Sequence, residues 1–248
     1  MTGGTVQYQR LSVNYPLVKE KIKLIAIVGP TASGKSDLAL RLALWLRSGR
    51  ITEQFGINGG EIISADSRQV YRGMDIGTGK VTRAQQRLVK HHLLDVADPR
   101  RNFSVARYRT LAEKAIRDIA KRGRIPIIVG GTGFYIDALL GRIALPHVPE
   151  NKKLRAELEK QSAGQLFARL QKLDPRRAQN IDAKNKRRLI RALEIIITTG
   201  APTPAISTDY SSLPRNYDVL WLGITWHKTK LDRRIYKRLD QRLKHGMI

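Results

Sequence analysis

A glycine-rich loop between an apolar run and an amphipathic segment constrains this chain more than any other feature. The run from Ile25 to Val28 is apolar and ends at Gly29. The motif Gly-x-x-x-x-Gly-Lys-Ser then spans Gly29 to Ser36 and leads into apolar residues at helical spacing, which are Leu38, Leu42, Trp45 and Leu46. A strand, this loop and a helix in succession are the context in which such a motif binds phosphate groups.

The residue types in the loop explain how it would bind a polyphosphate. Glycines let several backbone N–H groups approach one phosphate, and the start of the following helix adds partial positive charge. Lys35 contributes a mobile ammonium group, and the hydroxyl of Ser36 is a ligand for Mg²⁺. The alternative is a glycine-rich turn that resembles the motif by chance. The loop alone does not identify the molecule that carries the phosphate.

The chain is strongly basic. Its 248 residues include 46 Lys and Arg against 21 Asp and Glu, which gives a formal net charge of +25. Because such an excess repels itself in a compact fold, it indicates a polyanionic partner, for which RNA or DNA is the natural candidate. A generally basic proteome or an adaptation for solubility would give the same excess without any specific contact.

Cysteine content and hydropathy indicate the cellular compartment of the protein. The chain has no cysteine, which excludes disulfides, thiolate metal sites and cysteine nucleophiles and agrees with a reducing environment. It contains no apolar run long enough to cross a membrane, and residues 1–23 are too polar for a signal peptide. We therefore expect a cytoplasmic, monomeric protein with no membrane partner.

The order of the predicted elements indicates an α/β fold, in which a parallel sheet is flanked by helices as in P-loop NTPases. We expect four segments: an extension at 1–20, a P-loop core at 21–142, a helical insertion at 143–200 and a return to the core at 201–248. Besides the first strand, the pattern predicts strands at 61–65, 93–96, 125–129 and 219–224, helices at 105–122 and 228–244, and loops at 48–60 and 201–217. In the last helix, Leu231, Ile235, Leu239 and Leu243 form a stripe that we expect to pack against the core.

Two predicted strand ends bring candidate residues to one edge of the sheet. Asp66 follows the strand 61–65, and Thr132 follows the strand 125–129. Ligands bind at the carboxyl ends of parallel strands, so Asp66 should lie near the glycine-rich loop. Its carboxylate is either catalytic or only a cap for the next turn. His91 and His92 would point to opposite faces of a strand, and we interpret them as structural.

A basic helical stretch closes the predicted insertion. Arg187, Arg188 and Arg191 fall within one helical turn, while Leu189 and Leu193 face inward. The arginines either contact a polyanion or form a solvated basic face with no ligand.

Taken together, the motifs resemble the tRNA dimethylallyltransferases (tRNA isopentenyltransferases). The matching segments are Gly-Pro-Thr-Ala-Ser-Gly-Lys-Ser, Ile-Ile-Ser-Ala-Asp-Ser-Arg-Gln-Val-Tyr-Arg-Gly-Met-Asp-Ile-Gly-Thr, His-His-Leu-Leu-Asp, Phe-Ser-Val-Ala-Arg-Tyr, Val-Gly-Gly-Thr-Gly-Phe-Tyr and Arg-Leu-Ile-Arg-Ala-Leu-Glu. They stand in the family's order from residue 29 to about residue 194. The resemblance implies transfer of a dimethylallyl group from dimethylallyl diphosphate to the exocyclic amine of the adenosine 3′ of the anticodon in tRNA.

The resemblance also implies a role for individual residues. Asp66 would act as general base, and Thr132 would contact the reacting groups. Ser36 would help to bind Mg²⁺. The diphosphate would be bound by Gly29, Pro30, Thr31, Ala32, Ser33, Gly34, Lys35 and Ser36. Contacts to the tRNA anticodon stem-loop would come from Asp66, Ser67, Arg68, Gln69, Arg155, Arg187, Arg188, Leu189, Ile190 and Arg191.

Some features depart from the family pattern. The segment 48–60 is longer than usual, Lys80 follows Thr78-Gly79 where Thr-Ala-Lys-Pro is usual, and Lys228 replaces an arginine near the diphosphate. Family members continue well past residue 248, so the resemblance implies an incomplete enzyme that binds diphosphate but holds tRNA less well. Three alternatives are a small-molecule P-loop kinase, an adenylate isopentenyltransferase and a non-catalytic RNA-binding remnant.

Overall fold

A five-stranded parallel sheet is the centre of the computed structural model, which describes residues 21–143, 145, 146, 148–203 and 217–247. The strands are β1 (Ile22–Val28), β2 (Gly60–Ser64), β3 (His91–His92), β4 (Ile125–Val129) and β5 (Tyr217–Gly223). Their order across the sheet is β3-β2-β4-β1-β5, and all four pairings are parallel. The predicted α/β fold is confirmed. The predicted extension at 1–20 and most of the predicted loop at 201–217 lie outside the described residues.

Ten helices accompany the sheet in these residues. They are α1 (Lys35–Trp45), α2 (Gly49–Phe55), α3 (Arg83–Leu88), α4 (Val105–Lys121), α5 (Gly133–Leu139), α6 (Lys152–Glu159), α7 (Ala163–Leu173), α8 (Pro175–Gln179), α9 (Lys186–Thr199) and α10 (Lys228–Lys244). None of the helices in the described ranges is long and apolar enough to cross a membrane.

The central strands β1, β2 and β4 bury both faces of the sheet because most of their residues are apolar. In β1, Leu24 and Ala26 pack into a cluster with α4 and α5, whereas Ile25 and Ile27 pack into a second cluster with α1. This alternation is the period of two that a strand imposes. Helix α1 contributes the small residues Ala39 and Ala43 to the second cluster. The sheet is therefore a rigid support whose carboxyl edge carries the candidate residues.

Helices α6 to α9 form a smaller, separate hydrophobic core. Leu158, Leu166, Leu170, Leu189 and Leu193 are each at most 1% exposed in this cluster. Each helix begins at a polar residue whose side chain accepts a backbone N–H of the first turn; these residues are Asn151, Ser162, Asp174 and Asn185. The helical character predicted for this stretch is confirmed, while the division of the chain into domains stays a prediction.

Several predicted details are wrong. The segment 93–96 is not a strand, because Leu93 and Asp95 have φ angles of 64° and 58°, which lie in the left-handed region; the strand is the preceding His91–His92. The predicted loop at 48–60 contains α2. In α1, Trp45 is 55% exposed, so the buried stripe consists mainly of alanines.

The apolar stripe of α10 is also not packed as predicted. None of the residues of α10 is buried, and Ile235, Leu239 and Leu243 are 37–43% exposed. The helix instead contacts the rest of the described chain through arginine side chains that donate hydrogen bonds to backbone carbonyl oxygens.

Two buried glutamates organise the cationic surroundings of the two cores. Glu61 on β2 is 1% exposed and pairs with His92, Arg122 and Arg124 at 2.6–2.8 Å. Burial would raise its pKa, but the hydrogen bonds from these partners lower the pKa to about 2. The His92 pairing agrees with a structural role for the histidines, and no cluster of three metal-ligating side chains occurs among the described residues.

Glu194 on α9 has the same character. It is fully buried, and it accepts hydrogen bonds from Arg155 at 2.8 Å, from Arg191 at 2.5 Å and from the backbone N–H of Asn151 at 2.8 Å. Burial again acts to raise the pKa, and these bonds hold the pKa at about 2. Both carboxylates are therefore ionised whenever the protein is folded at ordinary pH.

We expect acid to destabilise the protein between about pH 4.5 and pH 2. The folded pKa of each glutamate lies near 2, below the unfolded value of 4.5, so its stabilisation is complete above pH 4.5 and is lost as the pH falls towards 2. The free energy of unfolding, measured with urea, should fall less between pH 5 and pH 3 for Glu61→Gln and Glu194→Gln than for the parent. The exposed Glu157 forms no ion pair in the described ranges, and Glu157→Gln is the control. If the free energy of unfolding fell equally between these pH values in all four proteins, Glu61 and Glu194 would not be the cause of the destabilisation.

Candidate active site

The glycine-rich loop contains three residues with positive φ angles. Gly29 has a φ of 154°, and a Cβ there would lie 2.7 Å from the carbonyl oxygen of Ile224. Ala32 and Gly34 have φ angles of 61° and 100°. Gly34 is the N-cap of α1 and offers no side chain to the first-turn N–H groups, which leaves them for an anion. The loop therefore has the features of the predicted phosphate cradle, and its diphosphate ligand stays a prediction.

Lys35 lies across this loop. Its Nζ donates a hydrogen bond to the carbonyl oxygen of Pro30 at 2.5 Å. Burial lowers the pKa of Lys35, the charge of Arg238 lowers it further, and the carboxylate of Asp66 opposes both effects. These three side chains therefore share one electrostatic environment. The next residue, Ser36, is exposed and keeps its hydroxyl free of hydrogen bonds within the described residues.

Asp66 lies just past the end of β2. Its Oδ1 accepts hydrogen bonds from the backbone N–H groups of Arg68, at 2.8 Å, and Gln69, at 3.3 Å. One carboxylate oxygen thus caps the turn, as one of the two interpretations predicted. The other oxygen, Oδ2, forms no hydrogen bond within the part of the chain that the structure describes. It is available to accept a proton from a ligand.

Thr132 fixes the turn that carries Asp66. Its Oγ1 accepts a hydrogen bond from the backbone N–H of Ser67 at 3.0 Å and donates one to Ser67 Oγ at 3.3 Å. The backbone N–H of Thr132 donates to the carbonyl oxygen of Ala65 at 3.1 Å. Gly130 permits this approach, because a Cβ there would overlap the Ala65 carbonyl group. The structure thus brings Asp66, Ser67 and Thr132 together.

Tyr135 on α5 is a core residue close enough to Asp66 to feel its charge, and sequence reasoning did not single it out. Its ring stacks on that of Tyr108, with the centroids 4.2 Å apart. Burial raises the pKa of Tyr135 to about 12, and the neighbouring Tyr71 and Asp66 add to the effect. The phenol is therefore neutral at ordinary pH. Its place in the Thr-Gly-Phe-Tyr segment was the only available sequence signal.

The segment after β5 closes over the loop from the other side, which the sequence analysis also missed. Trp226 Nε1 donates to the carbonyl oxygen of Ser33 at 2.9 Å, and Arg234 Nε donates to that of Ala32 at 2.8 Å. The Arg234 guanidinium lies 4.5 Å from the centroid of the Trp226 ring. Further along α10, Arg238 and Arg242 donate to the carbonyl oxygens of Gly79 and Gly77, both at 3.2 Å.

A regular spacing could have identified these arginines. Arg234, Arg238 and Arg242 recur every four residues, so they share one face of α10. We call them the arginine row. Lys228, which stands where the family has an arginine, is exposed in the first turn of the same helix.

The residues predicted to contact tRNA on α6 and α9 divide into three kinds. Arg187 and Arg188 are exposed and form no ion pair in the described ranges. Arg191 and Arg155 bind Glu194, as described above. Leu189 and Ile190 are 0% and 4% exposed in the helical core, so contacts from these two side chains to tRNA are inconsistent with the structure. Helical periodicity, which turns these two positions inward, is the physical reason.

Comparisons with known proteins show which family the chain resembles. The family model for IPP transferase matches residues 69–248. The tRNA dimethylallyltransferase of Roseiflexus sp. (strain RS-1) is 46% identical over 231 residues, which cover 92% of this chain and 71% of the relative. That of Thermomicrobium roseum is 42% identical, with 91% and 65% covered.

Solved structures of transferases with related names also resemble this chain. The full-length tRNA isopentenylpyrophosphate transferase from Bacillus halodurans is 41% identical and superimposes with a TM-score of 0.58, covering 91% of this chain and 67% of that one. A eukaryotic dimethylallyltransferase acting on tRNA is 30% identical, with a TM-score of 0.72 and coverage of 90% and 53%. The chain therefore belongs to the IPP transferase family, which includes the tRNA dimethylallyltransferases.

Proposed function

We propose that this protein transfers a dimethylallyl group from dimethylallyl diphosphate to the exocyclic amine of the adenosine 3′ of the anticodon in tRNA. One observation carries the proposal: a phosphate cradle and a carboxylate with a free oxygen meet at one sheet edge, in a chain 40–46% identical to curated tRNA dimethylallyltransferases. A kinase would share the cradle, but the family membership favours prenyl transfer.

The carboxylate suits a reaction at a weak nucleophile. The lone pair of an exocyclic adenine amine is delocalised into the ring, so attack is easier when a base removes the proton. Asp66 Oδ2 would accept that proton, and the Thr132 hydroxyl holds the Asp66 turn in place through Ser67. Because the target base is normally stacked in the anticodon loop, it must be flipped out to reach this edge.

The cradle suits the leaving group. Diphosphate departs as cationic character develops on the allyl carbon, and the loop N–H groups and Lys35 would stabilise the departing negative charge. The Ser36 hydroxyl fits Mg²⁺, which binds proteins through one or two oxygen ligands and takes its remaining ligands from phosphates and water. When bound, Mg²⁺ would neutralise part of the charge on the diphosphate.

The basic surface suits the acceptor. A net charge of +25 favours binding to tRNA through phosphate contacts, which are weakened by salt. Such a substrate is consistent with the predicted cytoplasmic location and with action as a monomer, and both stay predictions.

The direct test is incubation of the purified chain with radiolabelled dimethylallyl diphosphate and each acceptor separately: a tRNA transcript, AMP and ATP. We expect label in tRNA at the adenosine 3′ of the anticodon. Label in AMP or ATP would favour an adenylate isopentenyltransferase. Binding of tRNA without incorporation of label would favour a non-catalytic RNA-binding protein.

We expect Arg187 and Arg188 to contact tRNA phosphates, because both are exposed cations without internal partners in the described residues. Replacing both by alanine should weaken tRNA binding and reduce the slope of log K against log salt by roughly 1.4 to 1.8 units. Arg191 is left intact because its loss would leave Glu194 underpaired.

Filter binding at several salt concentrations measures this slope. The matched control is Lys152→Ala with Lys153→Ala, which removes two exposed charges from the first turn of α6 in the same lobe. A slope for the Arg187 and Arg188 variant equal to that of the parent would show that the arginines are merely solvated.

A further inference from the structure

Lys80 is a buried charge that the proposed mechanism does not use. Its side chain is 3% exposed. Its Nζ donates hydrogen bonds to the carbonyl oxygen of Tyr71 at 2.8 Å, to Asp75 Oδ1 at 2.7 Å and to Asp95 Oδ1 at 2.5 Å. An ammonium group has three N–H bonds, so each of them has an acceptor here. The position of this nitrogen is therefore closely defined.

The three acceptors lie in three different segments of irregular backbone. Tyr71 ends the turn that begins at Asp66. Asp75 lies in the loop that follows, and Asp95 lies in the turn after β3. Among the described residues, Lys80 is the one cation that forms an ion pair with either carboxylate. Removing its charge would leave two neighbouring carboxylates to repel each other.

Two of these segments contact the turn that carries Asp66. The backbone N–H of Asp95 donates to the carbonyl oxygen of Gln69 at 3.4 Å, and the backbone N–H of Gln69 donates to Asp66 Oδ1 at 3.3 Å. From the other segment, the carbonyl oxygen of Gly79 accepts a hydrogen bond from Gln69 Nε2 at 3.3 Å. Gln69 is buried between them, so the position of Asp66 depends on segments that Lys80 joins.

We propose that Lys80 is a positioning residue, which holds the Asp66 turn so that Asp66 Oδ2 can reach the proton of the acceptor amine. This inference rests on the proposed function and adds to it a residue that acts through Asp66. Thr132 holds the start of the same turn through Ser67, and Lys80 holds its end through Tyr71. Loss of either contact would shift the carboxylate.

Single-turnover transfer by Lys80→Met tests the proposal. Methionine keeps the length of the side chain but removes the charge and the three donors. At saturating tRNA and dimethylallyl diphosphate we expect the rate to fall about tenfold, because a displaced catalytic group reacts more slowly. Pyrophosphate affinity, measured by calorimetry, should not change.

Arg124→Met is the matched control. It also removes a cation from a buried carboxylate, that of Glu61, but near the opposite end of β2. We expect this variant to keep the parent rate at a temperature at which all the proteins are folded. If Lys80→Met were no slower than Arg124→Met, Lys80 would serve stability alone and the proposal would be wrong.

A double substitution shows whether Lys80 acts through Asp66. In the Asp66→Asn background, adding Lys80→Met should cause no further loss of rate, because the base that Lys80 positions is already absent. The same fractional loss in both backgrounds would overturn the proposal.

Asp95→Asn provides a second variant in case Lys80→Met does not fold. Asparagine keeps an oxygen for the Lys80 ammonium group and tolerates the left-handed conformation of Asp95, whose φ is 58°. We expect a smaller loss of rate that again disappears in the Asp66→Asn background. A rate equal to that of the parent would contradict the proposal.

Hydrogen exchange separates failure of this proposal from failure of the proposed function. The backbone N–H of Ala97 donates to the carbonyl oxygen of Val70 at 2.9 Å and reports on the contact between two of the joined segments. It should exchange faster in Lys80→Met than in the parent and in Arg124→Met. Faster exchange with no labelling of tRNA by the parent would overturn the proposed function alone. Unchanged exchange would overturn the role of Lys80.

Discussion

Replacing Asp66 by asparagine is expected to slow dimethylallyl transfer to tRNA by about 10² to 10⁴-fold while pyrophosphate binding survives. The amide oxygen of asparagine can still accept the two turn-capping hydrogen bonds that Oδ1 accepts from the backbone of Arg68 and Gln69. The amide nitrogen that takes the place of Oδ2 cannot accept a proton from the substrate. The substitution therefore removes the proposed base and keeps the turn.

Single-turnover rates with saturating tRNA and dimethylallyl diphosphate measure this effect. Asp98→Asn is a suitable control, because Asp98 also accepts a backbone N–H two residues on, that of Arg100 at 2.9 Å. We expect this control to retain the parent rate. If Asp66→Asn kept most of its turnover, Asp66 would be only a cap.

Gly130→Ala is expected to cause the second large loss. Its new Cβ would overlap the carbonyl group of Ala65, and backbone at this position cannot move aside as a flexible side chain would. Separating the ends of β2 and β4 would displace Thr132 from Ser67 and shift the Asp66 turn. Overpacking costs about 1–3 kcal/mol of stability, and a displacement of about 1 Å in a catalytic group costs on the order of 10²-fold in rate.

The adjacent glycine provides the control. A Cβ at Gly131 would meet nothing within 4 Å, so Gly131→Ala should preserve both the unfolding midpoint and the transfer rate. Urea unfolding and single-turnover kinetics of the two variants give the comparison. Equal behaviour of Gly130→Ala and Gly131→Ala would show that the close approach of the strand ends is not required.

Local patterns were enough to predict much of the fold. The strand at Ile125–Val129 and the helix at Val105–Lys121 have strong periods and clear boundaries, and both occur as predicted. The rule that ligands bind at the carboxyl ends of parallel strands also placed Asp66 and Thr132 at one edge, because this rule depends only on the sheet being parallel. These features need no knowledge of distant contacts.

Features set by distant contacts were not predictable in the same way. Leu93 and Asp95 look like strand residues, yet each adopts a left-handed conformation in the turn beside Lys80, whose Nζ binds Asp95 at 2.5 Å. The apolar stripe on α10 has helical periodicity, but periodicity does not show whether another part of the protein packs against it. The approach of Arg234 to Ala32 joins residues about 200 positions apart, and no local signal encodes it.

That distance in the chain sets the order in which the protein acquires its binding capacity during synthesis. The residues around the glycine-rich loop emerge from the ribosome early, whereas Trp226 and Arg234, which donate hydrogen bonds to its carbonyl groups, lie 193 and 202 residues further along than their acceptors and emerge later. The edge strand β5 must also pair with β1 before α10 reaches the loop. A nascent chain that ends before residue 226 therefore lacks both hydrogen bonds, so the docking of α10 is the step that completes this side of the loop.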